Sequence, residues 1–265
     1  MHLRLTVPCR LGLIAVALAF APACAVKAQD MMRGLDMSSP DMTMPEMTRA
    51  QVEALLAGSA GRADLSGRRL NGLDLSGLDL SRAILRAARL NRTNLSHAKL
   101  DGASLDQAWA LGADLTGASL IKASLFATQM AGAHLDGANL TGARITADLT
   151  GAHLVGAHLE NSDCSADEKN QSMGLMRATF KSADLSRANL SQANLALADL
   201  RFARFSAANF AGASLREADA SGADLRGAHL DGADTSGLDL DSARIDGAAA
   251  PYFAKAINLN LAFRE

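Results

Sequence analysis

The sequence predicts an all-β solenoid, a slender coil of short extended pieces joined by tight turns. Three observations carry that prediction. First, a small residue is followed two places later by Leu, as in Ala63-Asp64-Leu65, Ala113-Asp114-Leu115 and Ala183-Asp184-Leu185. Second, the pair recurs every five residues, through 17 units ending at Ile145, four with centres Leu149 to Cys164, and 15 with centres Phe180 to Ala250. Third, the residues between pairs are rich in Ser, Thr, Gly and Asp. Self-similarity at a fixed short period is the mark of a repeat architecture.

A five-residue period fits neither a helix, which wants apolar residues near every 3.6 positions, nor an isolated strand, which wants every second one. Ala and Leu two apart lie on the same side of an extended segment. The other three residues must then turn the chain before the next pair. Gly67, Gly72, Gly77, Gly117, Gly137 and Gly227 supply the positive φ that such turns often need. Ala beside Leu points to a narrow interior with one large and one small residue per side. In the first block 16 of 17 centres are Leu, Ile or Met, Ala110 being the exception, so the core is small aliphatic packing that accumulates along a stack.

The A-(D/N)-L-x-x pattern over residues 62–250 resembles that of the pentapeptide repeat family. The resemblance implies a right-handed quadrilateral β-helix with four pentads per coil, in which the centre residue and the one two before it point inward. It implies about nine coils, a rod ~43 Å long at a strand spacing of ~4.8 Å.

Taken in chain order, residues 1–28 read as a secretory signal peptide. Arg4 and Arg10 precede the apolar run Leu11 to Phe20, which is too short to span a membrane. Ala23-Cys24-Ala25 and Val26-Lys27-Ala28 both fit cleavage, with Ala28 favoured over Ala25. Acylation of Cys24, the lipoprotein alternative, has a poor lead-in in Ala21-Pro22-Ala23. Localisation in the bacterial periplasm or outside the cell follows. Removal of residues 1–28 leaves 23 basic and 28 acidic side chains and Cys164 as the sole thiol, so no disulfide framework is expected.

Residues 29–47 hold six of the ten methionines, Met31, Met32, Met37, Met42, Met44 and Met47, among acids and prolines without apolar periodicity. A flexible tail is expected. Thioethers are soft ligands suited to Cu(I), and Met42-Thr43-Met44 resembles periplasmic copper-binding segments. Met37, Met42, Met44 and Met47 are therefore candidate metal ligands, against the plainer view of a leader in which Met is incidental. Residues 48–58 read as a short capping helix: Thr48 and Gln51 form a capping box, Val52, Leu55 and Leu56 share a face, and Gly58 is a stop. Solenoids need such caps over their open ends. Residues 251–265, with Tyr252, Phe253, Ile257, Leu259, Leu261 and Phe263, are expected to close the other end.

The register breaks twice. One residue is missing between Ile145 and Leu149, and residues 165–172 lack the Ala–Leu pair, so a surface loop is expected there. In topoisomerase-binding members of the family such loops contribute to activity, which makes a partner-binding loop the alternative to a tolerated insertion. His134 and His153 lie four pentads apart once the missing residue is counted, hence on one face in adjacent coils, with His158 nearby. They are candidate metal ligands, against an exposed ladder without special chemistry. Trp109, beside Ala110, reads either as a contact patch or as local packing over a thin spot.

Residues 62–99 carry eight basic side chains against three acids, and residues 217–246 carry eight acids against two bases. A dipolar rod can steer a partner or favour head-to-tail contact between copies, so an unidentified protein and a second copy of the chain are candidate partners. No nucleic-acid partner is expected. No Ser–His–Asp arrangement, phosphate loop or dense His/Cys/Glu cluster stands out, so enzyme chemistry finds little support. The leading reading is a non-enzymatic exported interaction scaffold. Soft-metal binding through the Met-rich segment is the second. A DNA mimic acting on a topoisomerase is the third, opposed by the basic early coils and the export signal.

Overall fold

The computed structural model describes residues 36–59, 61–166 and 176–264. The expected signal peptide and its cleavage sites lie outside the described residues.

Most pentads distribute their backbone N–H groups in one way, and this builds the rod. Around Leu115, the Leu115 N–H donates to His134 O (2.7 Å) and the Gly117 N–H to Asp136 O (2.9 Å), both one coil on. The Ala118 N–H closes the turn on Leu115 O (2.9 Å), and the Ser119 N–H reaches back to Ala98 O (2.9 Å) in the previous coil. The fifth, from Thr116, donates to the Asp114 side chain (Oδ1, 2.9 Å). Buried or half-buried backbone donors must find partners, and in this pentad all five do. The Asp or Asn that recurs before many centre residues has this reason: its side chain caps the one N–H that the ladder leaves unpaired.

Parallel bridges join residues 20 apart, Asp64 to Ile84, Arg69 to Arg89, Asp74 to Asn94 and Asp79 to Lys99, so four pentads close one coil and the rod has four faces. The centres and the residues two before them fill its axis. Leu115, Leu120, Leu185 and Leu190 are wholly buried with Ala113, Ala118, Ala183 and Ala188. Ala110 is buried too. Phe180, Phe205 and Phe210 replace Leu in the later coils, the last two meeting edge to face at 5.2 Å. Burial pushes the Cys164 thiol up to about 12, so it packs as a neutral, inert group.

Away from the register breaks and the end of the repeat, the residue two after each centre lies in the left-handed region whether or not it is glycine. Gly117 has φ 63°, but Arg82 (59°), Leu197 (63°) and Phe202 (58°) stand in the same conformation. That geometry costs an L-residue on the order of 1–2 kcal/mol, which the flanking ladder bonds offset.

At the first break bridged residues are 19 apart, from Gln129–Asp148 to Arg144–Asp163, and the missing residue is absorbed at the corner around Thr146. At the second they are 31 apart, from Asp148–Thr179 to Asp163–Asn194, so the register lengthens by eleven residues while the rungs on either side stay paired. Most of the expected 165–172 loop lies outside the described residues. The chain returns beside Asp199, which is 4% exposed and bonded to Arg201 (2.6 Å), with Arg177 at 3.7 Å. Burial alone would raise the Asp199 carboxyl, but the two guanidinium groups outweigh it and hold the group below the usual carboxylate range.

Two boundaries differ from expectation. The repeat ends at Ile245 rather than residue 250: Ala248 is exposed and Ala250 half-buried, because Gly247–Phe253 winds as a 3₁₀ helix. Two alanines cannot cover the open end, and this winding instead buries Phe253 completely in the core. A second 3₁₀ turn, Leu259–Leu261, then leads to β2 (Phe263–Arg264), which pairs in parallel with β1 (Arg244–Ile245).

Residues 36–47, expected within a flexible tail, are strapped to the first coils. Helix α1 (Pro40–Thr43) buries Met42, and the side-chain amides of Asn71 and Asn91 donate to Asp41 O (3.1 Å) and Met42 O (3.2 Å). Helix α2 (Arg49–Gly58) carries the Thr48–Gln51 capping box in both directions and inserts Val52 into the core. Leu56 packs beside it, while Leu55 is exposed.

Candidate functional site

With the axis filled, the chemistry of the rod lies on its faces. One face carries, in successive coils, Asp114, His134, His153 and Asp184. The two exposed imidazoles stack with centroids 4.9 Å apart and planes at 15°. The coil spacing brings them together, because they are ladder partners despite the 19-residue coil between them.

Asp136 joins this pair, and sequence reading missed it. It sits in the turn after His134 and accepts the Val155 N–H (Oδ1, 2.8 Å). One ligand atom from each of His134, Asp136 and His153 falls within 4.8 Å of the others. The signal lies in the N–H accounting above. At several positions where Asp or Asn is absent before a centre, a carboxylate or amide in the turn one coil earlier takes over the cap. Asn91 does so for Leu111, Asp101 for Ile121, Asp106 for Phe126 and Asp136 for Val155. The corresponding residues are Trp109, Ser119, Ser124 and His153.

His158, expected near the pair, belongs to another face, bridged to Asn139 and Asn189. Its Nδ1 lies 3.1 Å from Glu160, which also accepts from Asn189 (2.6 Å). Burial would raise the Glu160 carboxyl, but these contacts prevail and keep it below its ordinary value.

The four candidate methionines divide between packing and solvent. Met42 is buried and lines a shallow cleft with Met37, Asn91 and Arg92; Met47 packs on the core; Met44 is 59% exposed. Neither Met44 nor Met47 lines that cleft. The strap around Asn71 and Asn91 sets this arrangement. Met31 and Met32 lie outside the described residues. Trp109 is half-buried in the ladder between Arg89 and Gln129.

Comparison with known proteins follows the same outline. The sequence profile of pentapeptide repeats matches in eight copies, over residues 61–96, 98–125, 175–212 and 208–247, together just over half of the chain. No curated protein matches the sequence. Among solved structures, a trypsin-treated variant of QnrB1, a plasmid-mediated fluoroquinolone resistance protein, aligns at 16% identity and a TM-score of 0.52, covering 69% of this chain and 92% of that one. HetL, a pentapeptide repeat protein involved in heterocyst differentiation regulation from the cyanobacterium Nostoc sp. strain PCC 7120, aligns at 28% identity with a TM-score of 0.27, covering 75% and 97%. Rfr23, from the cyanobacterium Cyanothece 51142, aligns at 16% identity and a TM-score of 0.24, covering 82% and 99%. No helix among the described residues is long and apolar enough to cross a membrane.

Proposed function

This chain belongs to the pentapeptide repeat family, a non-catalytic scaffold fold that forms a right-handed β-helix, and from that premise we propose that it is an exported interaction scaffold. In this reading a rod of about nine coils, lidded by α2, displays its faces to a protein partner in the periplasm or outside the cell. The Arg4, Arg10 and Leu11–Phe20 pattern supports export.

The observation that carries the reading is the uneven charge of an otherwise filled rod. Arg68, Arg82, Arg86 and Arg92 stand exposed around the early coils. In the late coils Glu217, Asp231, Asp234 and Asp246 stand exposed or half-exposed. Opposite charge at two ends steers an encounter and fixes the orientation of a bound partner. A topoisomerase-binding DNA mimic would need an acidic face along most of the rod, and the early coils are basic.

The test is capture of envelope proteins by the tagged mature chain, beside a variant carrying Arg82→Glu, Arg86→Glu and Arg92→Glu. A defined protein retained by the first and lost by the second is the expected result. Equal recovery by both removes the charge-guided reading. Fractionation that leaves an uncleaved product in the cytoplasm removes the export reading separately.

A further inference from the structure

We infer that His134, Asp136 and His153 form a binding site for one divalent first-row transition cation. The donor set is two imidazoles and one carboxylate, a combination that suits Zn²⁺, Ni²⁺ or Cu²⁺ and leaves coordination positions for water.

The geometry supports the site in three ways. First, the three ligand atoms already lie within 4.8 Å of one another, on backbone that ladder bonds hold on both sides. The rings now stack, so each must rotate out of the stack to aim its in-plane lone pair at one ion, a motion their exposure permits. Second, Asp136 is anchored: the Val155 N–H engages its Oδ1 at 2.8 Å, which fixes the carboxylate beside the rings and leaves the second oxygen for a cation. An anchored ligand of this kind lowers the ordering cost of binding.

Third, neither histidine caps a turn N–H, as the Asp and Asn residues of the same ladder do. On this face Asp74, Asn94, Asp114, Asp184 and Asp224 each cap a turn N–H two residues on. His134 and His153 replace that cap with imidazole in two consecutive coils. Asp114 and Asp184 occupy the next rungs, so the histidines lie between carboxylates along the ladder, Asp184 being itself paired with Arg204 (2.6 Å).

The test is calorimetric titration of the full chain, purified without a polyhistidine tag, with Zn²⁺, and of the same chain with Co²⁺ followed by its visible absorption. The expected result is one ion per chain at low-micromolar affinity. His134→Asn and His153→Asn suit the experiment because Asn94 already occupies a rung of the same ladder, so the rod stays folded, as circular dichroism would verify. Each should weaken Zn²⁺ binding by at least ~10-fold, and Asp136→Asn by about 10-fold, whereas His158→Ala should leave it unchanged. Saturation only at millimolar Zn²⁺ overturns the inference. So does tight binding that survives the combined His134→Asn and His153→Asn changes, since the ion would then sit elsewhere.

Discussion

At the N-terminal end of the rod the first coil is covered by α2, whose Val52 enters the core beside Leu56 and Met47, while at the C-terminal end the chain turns inward and Phe253 fills the last coil. The first lid is fastened mainly by polar contacts. Arg49 donates to the carbonyls of Asp74 and Ser76 (3.1 Å each), Arg69 pairs with Asp41 (2.6 Å), and Asn71 and Asn91 hold the strap. The second lid has fewer side-chain fastenings, with Thr235 donating to Tyr252 O (2.6 Å), Asn258 to Asp239 (2.8 Å) and Tyr252 to Asp231 (2.6 Å), and it leans instead on backbone bonds such as Ile257 N–H to Leu238 O (2.9 Å) and Phe263 N–H to Ala243 O (2.8 Å). A lid made of a helix with its own caps docks as a unit with many small fastenings. A lid made of 3₁₀ turns has little local preference for its shape and depends on the residue it buries and on its backbone bonds to the last coil.

The sharpest way to break this contrast is Phe253→Ala. Truncating a wholly buried aromatic costs about 3–5 kcal/mol, and here it also opens the last coil. Urea denaturation should show that loss. A change below ~1 kcal/mol would mean that the 3₁₀ turns hold the end by themselves, and the two lids would no longer differ.

Asn91→Ala probes the other end at the next magnitude. Asn91 is 6% exposed, donates to Met42 O and accepts the Leu111 N–H (3.1 Å). Its loss strands a buried carbonyl and a backbone N–H, which costs about 1–3 kcal/mol. Hydrogen exchange should rise over residues 36–47 and leave the late coils protected. Exchange that rises along the whole rod would show that the strap supports the coils rather than resting on them.

These two residues also show what the sequence made legible. The five-residue register led directly to the buried Leu and Ala, because burial there depends on spacing alone. The Thr48–Gln51 cap was equally readable, being a local pattern. The strap was not: its composition argues for a free segment, and its anchors Asn71 and Asn91 become a pair only when the 20-residue coil is known. Asp136 was hidden for the same reason, since its meaning depends on what stands one coil later at His153. Glycine at the corners was readable, as Gly67 and Gly117 do take positive φ, but the ladder imposes the same conformation on Arg82 and Phe202, which no local pattern announces. The end of the repeat was misplaced because Ala248 and Ala250 keep the pattern while Phe253 takes the space.

Thr48→Ala should weaken α2 by about 1 kcal/mol, the ordinary worth of an N-cap, through loss of its contact to the Gln51 N–H (3.3 Å). The effect should be confined to melting of the N-terminal lid. An equal loss in a variant already lacking the strap contacts of Asn91 would confirm that cap and strap act independently. Strong non-additivity would join them into one unit and make the N-terminal lid less modular than its contacts imply.

The smallest effect belongs to Tyr252, and it reports the C-terminal lid directly because the chain has a single tyrosine. The hydrogen bond to Asp231, with the carboxylate's charge behind it, holds the phenol proton and raises the group above its ordinary value of 10.0. The folded chain therefore binds that proton more tightly than the unfolded one. The associated stability is present below about pH 10 and lost as pH rises through the raised value. Tyrosinate absorption should appear at higher pH in the folded protein than in urea, and Tyr252→Phe should abolish both the signal and the alkaline loss of the lid's exchange protection. If the phenol ionised at the same pH in both states, the Asp231 contact would not form in solution. The C-terminal lid would then rest on Phe253 and the backbone pairing of β1 with β2, which would widen the contrast with the polar fastenings at the other end.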